Sequence, residues 1–328
     1  MSKMIGAALL SSAMFLISAS AYWSPPATVL STVKTYSLGE SPESIAFDRA
    51  GNSFVSIGNT IRKRTPAGVD STFMTLPISA FVLGVKVGPD GCVYNTSTSL
   101  DPAVVGAFIW KTCTTGSPTI FATLDPSGGP NDLAFDDNRN LFVTDPFLGK
   151  VYKVSSAGAV RTWLQHPLLN GNTASPYLLF HAVGVDGLAF DENKENLYLG
   201  NLDYGRLIRV PVRYNGSAGT PVVVASDPRL AGIDGFAFDE NGTIFAAING
   251  QDHFVSVSCS GVITGRYSGL PLDGPSSVAF WHQARHTTDA VHYQRRIPTY
   301  LWAAVRYSAS SDAVDSNRRA WPLPSVRG

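Results

Sequence analysis

One short phrase recurs along this chain and constrains its fold more than any other feature. It reads Glu43-Ser44-Ile45-Ala46-Phe47-Asp48, then Asn131-Asp132-Leu133-Ala134-Phe135-Asp136, Asp186-Gly187-Leu188-Ala189-Phe190-Asp191 and Asp234-Gly235-Phe236-Ala237-Phe238-Asp239. Two degenerate copies, Leu83-Gly84-Val85-Lys86-Val87-Gly88 and Ser276-Ser277-Val278-Ala279-Phe280-Trp281, bring the set to six. A turn and a second alternating run follow the motif, as in Asn140-Leu141-Phe142-Val143-Thr144. A third run (Gly149-Lys150-Val151-Tyr152-Lys153-Val154) and a fourth (Val160-Arg161-Thr162-Trp163-Leu164) close the unit. Period-two alternation bounded by Gly, Asp and Asn marks strands and hairpins. Four short strands repeating every ~40–55 residues form a propeller blade, whereas solenoid repeats are shorter or helical. The expected fold is all-β: a six-bladed β-propeller with four-stranded antiparallel blades.

The repeat sets the domain organisation. Residues 1–21 join a basic start at Lys3 to an apolar run from Met4 to Ile17 and the small residues Ala19-Ser20-Ala21, the pattern of a cleavable signal peptide. The run is shorter than the ~20 residues a membrane span needs. The chain is therefore expected in the secretory pathway, with no membrane anchor. The propeller is expected over 22–307, with an irregular, Arg-containing tail over 308–328. After Phe280 the motif's usual continuation is lost, so the end of the chain reads as a divergent last blade or a misassigned final exon.

Net charge is zero and 15% of residues are charged, which gives no electrostatic case for a nucleic-acid partner. Secretion makes the three cysteines informative. Cys92 and Cys113 fall in segments that look like neighbouring strands of one hairpin, where an oxidising compartment allows a disulfide. Cys259 has no obvious partner. Asn95-Thr96-Ser97, Asn215-Gly216-Ser217 and Asn241-Gly242-Thr243 are glycosylation acceptors in a eukaryotic host.

Residues just ahead of each innermost strand crowd one mouth of a propeller's channel. Here they are Glu43, Leu83, Asn131, Asp186, Asp234 and Ser276. Three carboxylates and an amide on one axis make an oxygen-rich ring of the kind that binds a hard cation such as Ca²⁺. The same residue types also serve to satisfy backbone groups where a strand begins. Both readings stay open on sequence. Phe81 and Leu83 lead into the second motif, and Tyr177, Phe180 and His181 lead into the fourth. They form either an apolar rim for a small hydrophobic substrate or ordinary core between blades.

The stretches Pro42-Glu43-Ser44-Ile45-Ala46-Phe47-Asp48, Gly129-Pro130-Asn131-Asp132-Leu133-Ala134-Phe135-Asp136 and Gly232-Ile233-Asp234-Gly235 resemble the SMP-30/gluconolactonase/regucalcin-like superfamily. The likeness runs from about Pro42 to Phe280. It implies that Glu43, Asn131, Asp186 and Asp234 hold a divalent cation that activates water or polarises a lactone carbonyl, with Asp234 as acid or base. Asp186 departs from the pattern, because the hydrolases commonly have Asn there. The chain also resembles secreted fungal propellers that act as hetero-Diels–Alderases, joining a tropolone quinone methide to a humulene-type terpene. That resemblance implies a dry pocket with a proton-transfer pair, for which His181, Tyr177 and Asp186 or Asp234 are the candidates. The expectation is a monomeric small-molecule enzyme of specialised metabolism, a cyclase of this kind, with a Ca²⁺-dependent lactonase or a non-catalytic binding propeller as alternatives.

Overall fold

The computed structural model describes residues 33–37, 40–175, 181–268, 272 and 274–281, together with the backbone of 300–305. The stretches read as signal peptide and tail lie outside them, as do Tyr177 and Phe180. Within the described residues the chain is an all-β propeller of four-stranded antiparallel blades. Blade 1 comprises β1 (Pro42–Phe47), β2 (Ser53–Ile57), β3 (Thr60–Arg64) and β4 (Asp70–Thr75). Blade 2 comprises β5 (Ala80–Val87), β6 (Val93–Ser99), β7 (Ala107–Thr112) and β8 (Thr119–Leu124). Blade 3 holds β9 (Leu133–Phe135), β10 (Leu141–Asp145), β11 (Lys150–Val154) and β12 (Val160–Gln165). Blade 4 holds β13 (Val185–Phe190), β14 (Asn196–Asn201), β15 (Arg206–Pro211) and β16 (Val222–Ser226). Blade 5 holds β17 (Ile233–Phe238), β18 (Ile244–Ile248), β19 (His253–Val257) and β20 (Ile263–Ser268). The sixth sheet pairs only β21 (Pro275–Trp281) with β22 (Tyr300–Val305). Six complete blades were expected. Five four-stranded blades and one two-stranded sheet are found among the described residues, and residues 282–299 and 306–328 lie outside them.

The innermost strands form a closed ring, β1 against β5, β5 against β9, then β13, β17, β21 and back to β1. The Ser276 hydroxyl donates to the Pro42 carbonyl at 3.3 Å and helps close it. Each motif contributes to this ring in three ways. Its apolar third position (Ile45, Val85, Leu133, Leu188, Phe236, Val278) is buried in the core. Its final Asp ends the strand with an Asx turn. Asp48 accepts from the Ala50 and Asn52 N–H groups at 2.9 Å, Asp136 from Asn140, Asp191 from Asn196, and Asp239 from Asn241 and Thr243. Its first two positions form a β-bulge, where the pairing with the second strand slips at Pro42/Ile45, Val82/Val85, Val185/Leu188 and Ile233/Phe236.

The bulge lets neighbouring inner strands meet backbone to backbone. A Cβ added at Gly84 would stand 2.3 Å from the Asn131 carbonyl oxygen, and one at Gly187 would stand 2.2 Å from that of Asp234. Only glycine permits either approach. Opposite the bulge, hydroxyls on the second strand bridge successive blades. Ser56 accepts from the Ser44 N–H at 2.9 Å and donates to the Leu83 carbonyl of blade 2 at 2.7 Å. Thr96 accepts from Gly84 and donates to Asn131, and Thr144 accepts from Asp132 and donates to Asp186. Ser44 Oγ and Asp132 Oδ2 reach forward in turn to the Val85 and Leu188 N–H groups.

Aromatic packing fills the space between blades. Phe142, fully buried, lies edge-on to Trp163 and Phe190 with centroids 5.0 Å away in each case. Cys92 and Cys113, flanking the paired ends Val93 and Thr112 of β6 and β7, are joined in a disulfide. Cys259 is exposed and is the cysteine outside any disulfide. Asn95 is 0% exposed in the middle of β6, so its amide is not an acceptor for glycan in the folded protein, contrary to the sequence expectation. Asn215 and Asn241 are exposed. No helix among the described residues is long and apolar enough to cross a membrane.

Asp145, at the end of β10, fixes the loop leading to Asn131. It is fully buried, accepts from the Gly129 and Leu148 N–H groups at 3.1 Å each, and takes the Tyr152 hydroxyl at 3.2 Å. Burial pushes its carboxyl above the usual carboxylate range, with the two N–H donors opposing the shift.

Two predictions follow from these contacts. Thr144→Val leaves the Asp132 N–H and the Asp186 carbonyl without the bridging hydroxyl. It should cost about 2 kcal/mol in urea unfolding, with Thr144→Ser close to wild type; a loss under about 0.5 kcal/mol contradicts the bridge. Asp145 binds its proton more tightly folded than unfolded, so its contribution is favourable at low pH and is lost as pH rises through the raised value. Asp145→Asn, which retains an acceptor oxygen, should therefore compare best with wild type near neutral pH. Its relative melting temperature should fall as the pH is lowered; a pH-independent difference contradicts this.

Candidate functional site

The bulge positions assemble the site. Glu43, Leu83, Asn131, Asp186, Asp234 and Ser276 occupy equivalent places at the start of the inner strands, one per sheet, at the same end of the ring. The backbone on this stretch is held by the hydroxyl bridges, so the residues' heights around the mouth are set by the fold. Asp186 and Asp234 are 2% and 7% exposed and lie on touching strands, the Gly187 backbone packing against Asp234. Glu43, Leu83 and Asn131 are half-buried, and Ser276 is buried. Lys86 stands where the other five motifs carry alanine, its ammonium 3.9 Å from Asp132 Oδ1, and brings one positive charge beside the ring.

In kind the donors suit a hard cation, being carboxylate and amide oxygens with two buried acids side by side. Among the described residues, however, no three His, Cys, Asp or Glu side chains gather closely enough to enclose an ion. Glu43, Asp186 and Asp234 thus share a mouth without forming a finished cage.

The rim divides between the two sequence readings. Val82 is buried in the core between blades 1 and 2 and Ile78 packs against it, as ordinary inter-blade residues do. Phe81 and Leu83 remain half-buried on β5. His181 is exposed on the loop leading to β13, five residues ahead of Asp186, and its ring lies 4.7 Å from that of Phe147 at a 33° tilt. Its Nδ1 is 2.7 Å from the Ala182 carbonyl. Because a carbonyl only accepts, this contact suits the Nδ1–H tautomer of the neutral ring, which leaves the lone pair on Nε2.

Sequence reading did not single out Phe147, Asp203 or the bridging hydroxyls. The hydroxyls had a signal: aligning the second strands places Ser56, Thr96 and Thr144 in register, with Gly200 and Ala247 in blades 4 and 5. Phe147 and Asp203 act through contacts between loops distant in sequence, which carry no periodic mark.

Comparison with known proteins agrees with this architecture. Residues 38–288 match the family model described as the SMP-30/gluconolactonase/LRE-like region. No protein of curated function has a matching sequence. Among solved structures, the calcium-binding protein regucalcin from Agrobacterium tumefaciens strain C58 is similar at 19% identity, with TM-score 0.55, covering 74% of this chain and 79% of its own. A gluconolactonase from Xanthomonas campestris is similar at 15% identity, with TM-score 0.56 and coverages of 74% and 80%. Virginiamycin B lyase from Staphylococcus aureus is similar at 15% identity, with TM-score 0.55 and coverages of 73% and 74%. At these identities the likeness to solved structures is one of fold. The match over residues 38–288 spans well over half of the 328-residue chain, and the chain belongs to the SMP-30/gluconolactonase/LRE-like family.

Proposed function

We propose that this propeller is a small-molecule enzyme working at the mouth of its channel, and that it hydrolyses a cyclic ester with the help of a divalent cation, Ca²⁺ foremost. The observation that carries the reading is the place of Glu43, Asn131, Asp186 and Asp234 in the motif, each at or just before the start of an inner strand of the ring. Family membership supports it. A divalent cation bound there supplies positive charge that polarises a lactone carbonyl. Glu43, Asn131, Asp186 and Asp234 are the residues that would hold the cation. Asp234 takes the proton of the attacking water as its oxygen bonds to the carbonyl carbon. It then returns that proton to the ring oxygen as the ester bond breaks. Asp186, where relatives commonly have Asn, adds a negative charge on the strand next to Asp234, which favours a cation.

A second reading is favoured by one observation, the exposed His181 whose ring rests on Phe147 in the loop leading to Asp186. In it the mouth holds a small hydrophobic substrate: His181 takes the ring-hydroxyl proton of a hydroxymethyl tropolone and returns it to the departing side-chain hydroxyl, which leaves as water, and the quinone methide so formed is held against a humulene-type alkene for cyclisation, as in a hetero-Diels–Alderase. Secretion belongs to both readings and is supported by the Cys92–Cys113 disulfide. Export into the medium with a mature start near Tyr22 is the expected result of expression in a secreting host, and retention in the cell contradicts it.

A panel of γ- and δ-lactones separates the readings. Chelated protein should lose hydrolysis and recover it with Ca²⁺, and Asp234→Ala should lower kcat/KM at least ~100-fold. Full activity in that variant, or an inactive Ca²⁺-loaded wild type across the panel, contradicts the hydrolase. For the cyclase, His181→Ala should slow product formation from a tropolone and a humulene-type alkene without unfolding the protein. An unchanged rate removes His181.

A further inference from the structure

The loop leading to β13 is the longest of the described loops that join one blade to the next, and the turn between β14 and β15 holds it by its backbone. Asn201, 0% exposed, donates from Nδ2 to the Leu168 carbonyl at 3.0 Å and the Asn170 carbonyl at 2.9 Å. Asp203, 6% exposed, accepts on a single oxygen, Oδ2, from the Asn172 N–H at 2.8 Å and the Val183 N–H at 2.7 Å. Two points of the chain well separated in sequence are thus drawn to one atom. The Asp203 N–H donates back to the Val183 carbonyl at 3.2 Å. The next residue, Gly184, donates to the Pro146 carbonyl and accepts from the Leu202 N–H, at 3.0 Å in each case.

These bonds place Val183 between the two groups the proposed reactions invoke. His181 stands two residues before it and Asp186 three residues after it. The Gly184–Pro146 bond brings the loop against the residue preceding Phe147, on which the imidazole rests. The other carboxylate oxygen, Asp203 Oδ1, is buried and makes no hydrogen bond among the described residues. Fold stability gains nothing from that buried oxygen, whereas Oδ2 has a defined task.

We infer that Asp203 is a positioning residue for His181: by gripping Asn172 and Val183 it holds the imidazole on Phe147 with Nδ1 at the Ala182 carbonyl, the contact that selects the Nδ1–H tautomer of the neutral ring and leaves the lone pair on Nε2. The use of that lone pair in proton transfer rests on the cyclase reading; the orientation does not. Placement of a proton acceptor matters steeply, since a displacement of ~1 Å can cost ~100-fold in rate.

The test is the tautomer of His181, read from long-range ¹H–¹⁵N correlations of the imidazole rings in labelled protein above the titration range, with the resonance assigned by its loss in His181→Gln. Wild type should show the Nδ1–H tautomer. Asp203→Asn, which keeps an oxygen for both N–H groups, should show it too. Asp203→Leu, of similar size but without an acceptor, should revert to the Nε2–H form usual for imidazole in water while the backbone spectrum stays folded. A folded Leu variant that keeps the Nδ1–H form overturns the inference. So does wild-type protein with the Nε2–H form, which decides the matter even where the Leu variant fails to fold. In turnover of the tropolone and alkene, Asp203→Leu should lower kcat by ~10- to 100-fold with KM little changed. A tautomer change in a system where His181→Ala leaves every rate unaltered upholds the positioning and removes the proton-transfer role.

Discussion

The mouth of the inner ring depends on one extra residue at the start of the inner strands β1, β5, β13 and β17. The bulge at Glu43–Ser44, Leu83–Gly84, Asp186–Gly187 and Asp234–Gly235 turns the strand's carbonyl toward the neighbouring blade. There a hydroxyl of the preceding blade meets it, from Ser56 to Leu83 and from Thr144 to Asp186. Buried backbone groups in the crowded centre of a propeller must find partners, and these bridges supply them. The same geometry that satisfies the backbone sets six side chains around a mouth, so fold and site share one cause.

That shared cause explains why two carboxylates can be buried side by side. Asp186 and Asp234 sit at positions the fold fixes, with glycine following each so that the strands can touch. The loops then add what the ring lacks. Asp145 holds Gly129 two residues ahead of Asn131, and Asp203 holds Val183 three residues ahead of Asp186. A buried carboxylate in a turn between second and third strands is thus used twice to aim the chain that delivers a mouth residue.

The ring and its first positions were legible in the sequence because they repeat. Six motifs in register reveal a common place in space even where Leu83 or Ser276 departs from the type. Asn95 was misread because a local acceptor pattern says nothing of burial. The run Val93-Tyr94-Asn95-Thr96-Ser97 is polar in part, yet β6 is a middle strand covered on both faces and Asn95, Thr96 and Ser97 are all fully buried. The sixth motif weakens after Phe280, and among the described residues its sheet pairs only β21 with β22. Asp203 had no sequence mark at all, its partners Asn172 and Val183 lying 31 and 20 residues away in a loop of no fixed period. Contacts made by folding topology, rather than by local pattern, are the ones a single sequence hides.

The central claim is that the bulge-ring mouth is where a small molecule is bound and transformed. A crystal soaked with CaCl₂ and δ-valerolactam, an amide analogue that resists hydrolysis, addresses it directly. The account predicts an ion and the lactam together at the mouth bounded by Glu43, Asn131, Asp186 and Asp234. Saturating ligand that leaves this mouth empty, or binds only elsewhere on the propeller, would contradict it.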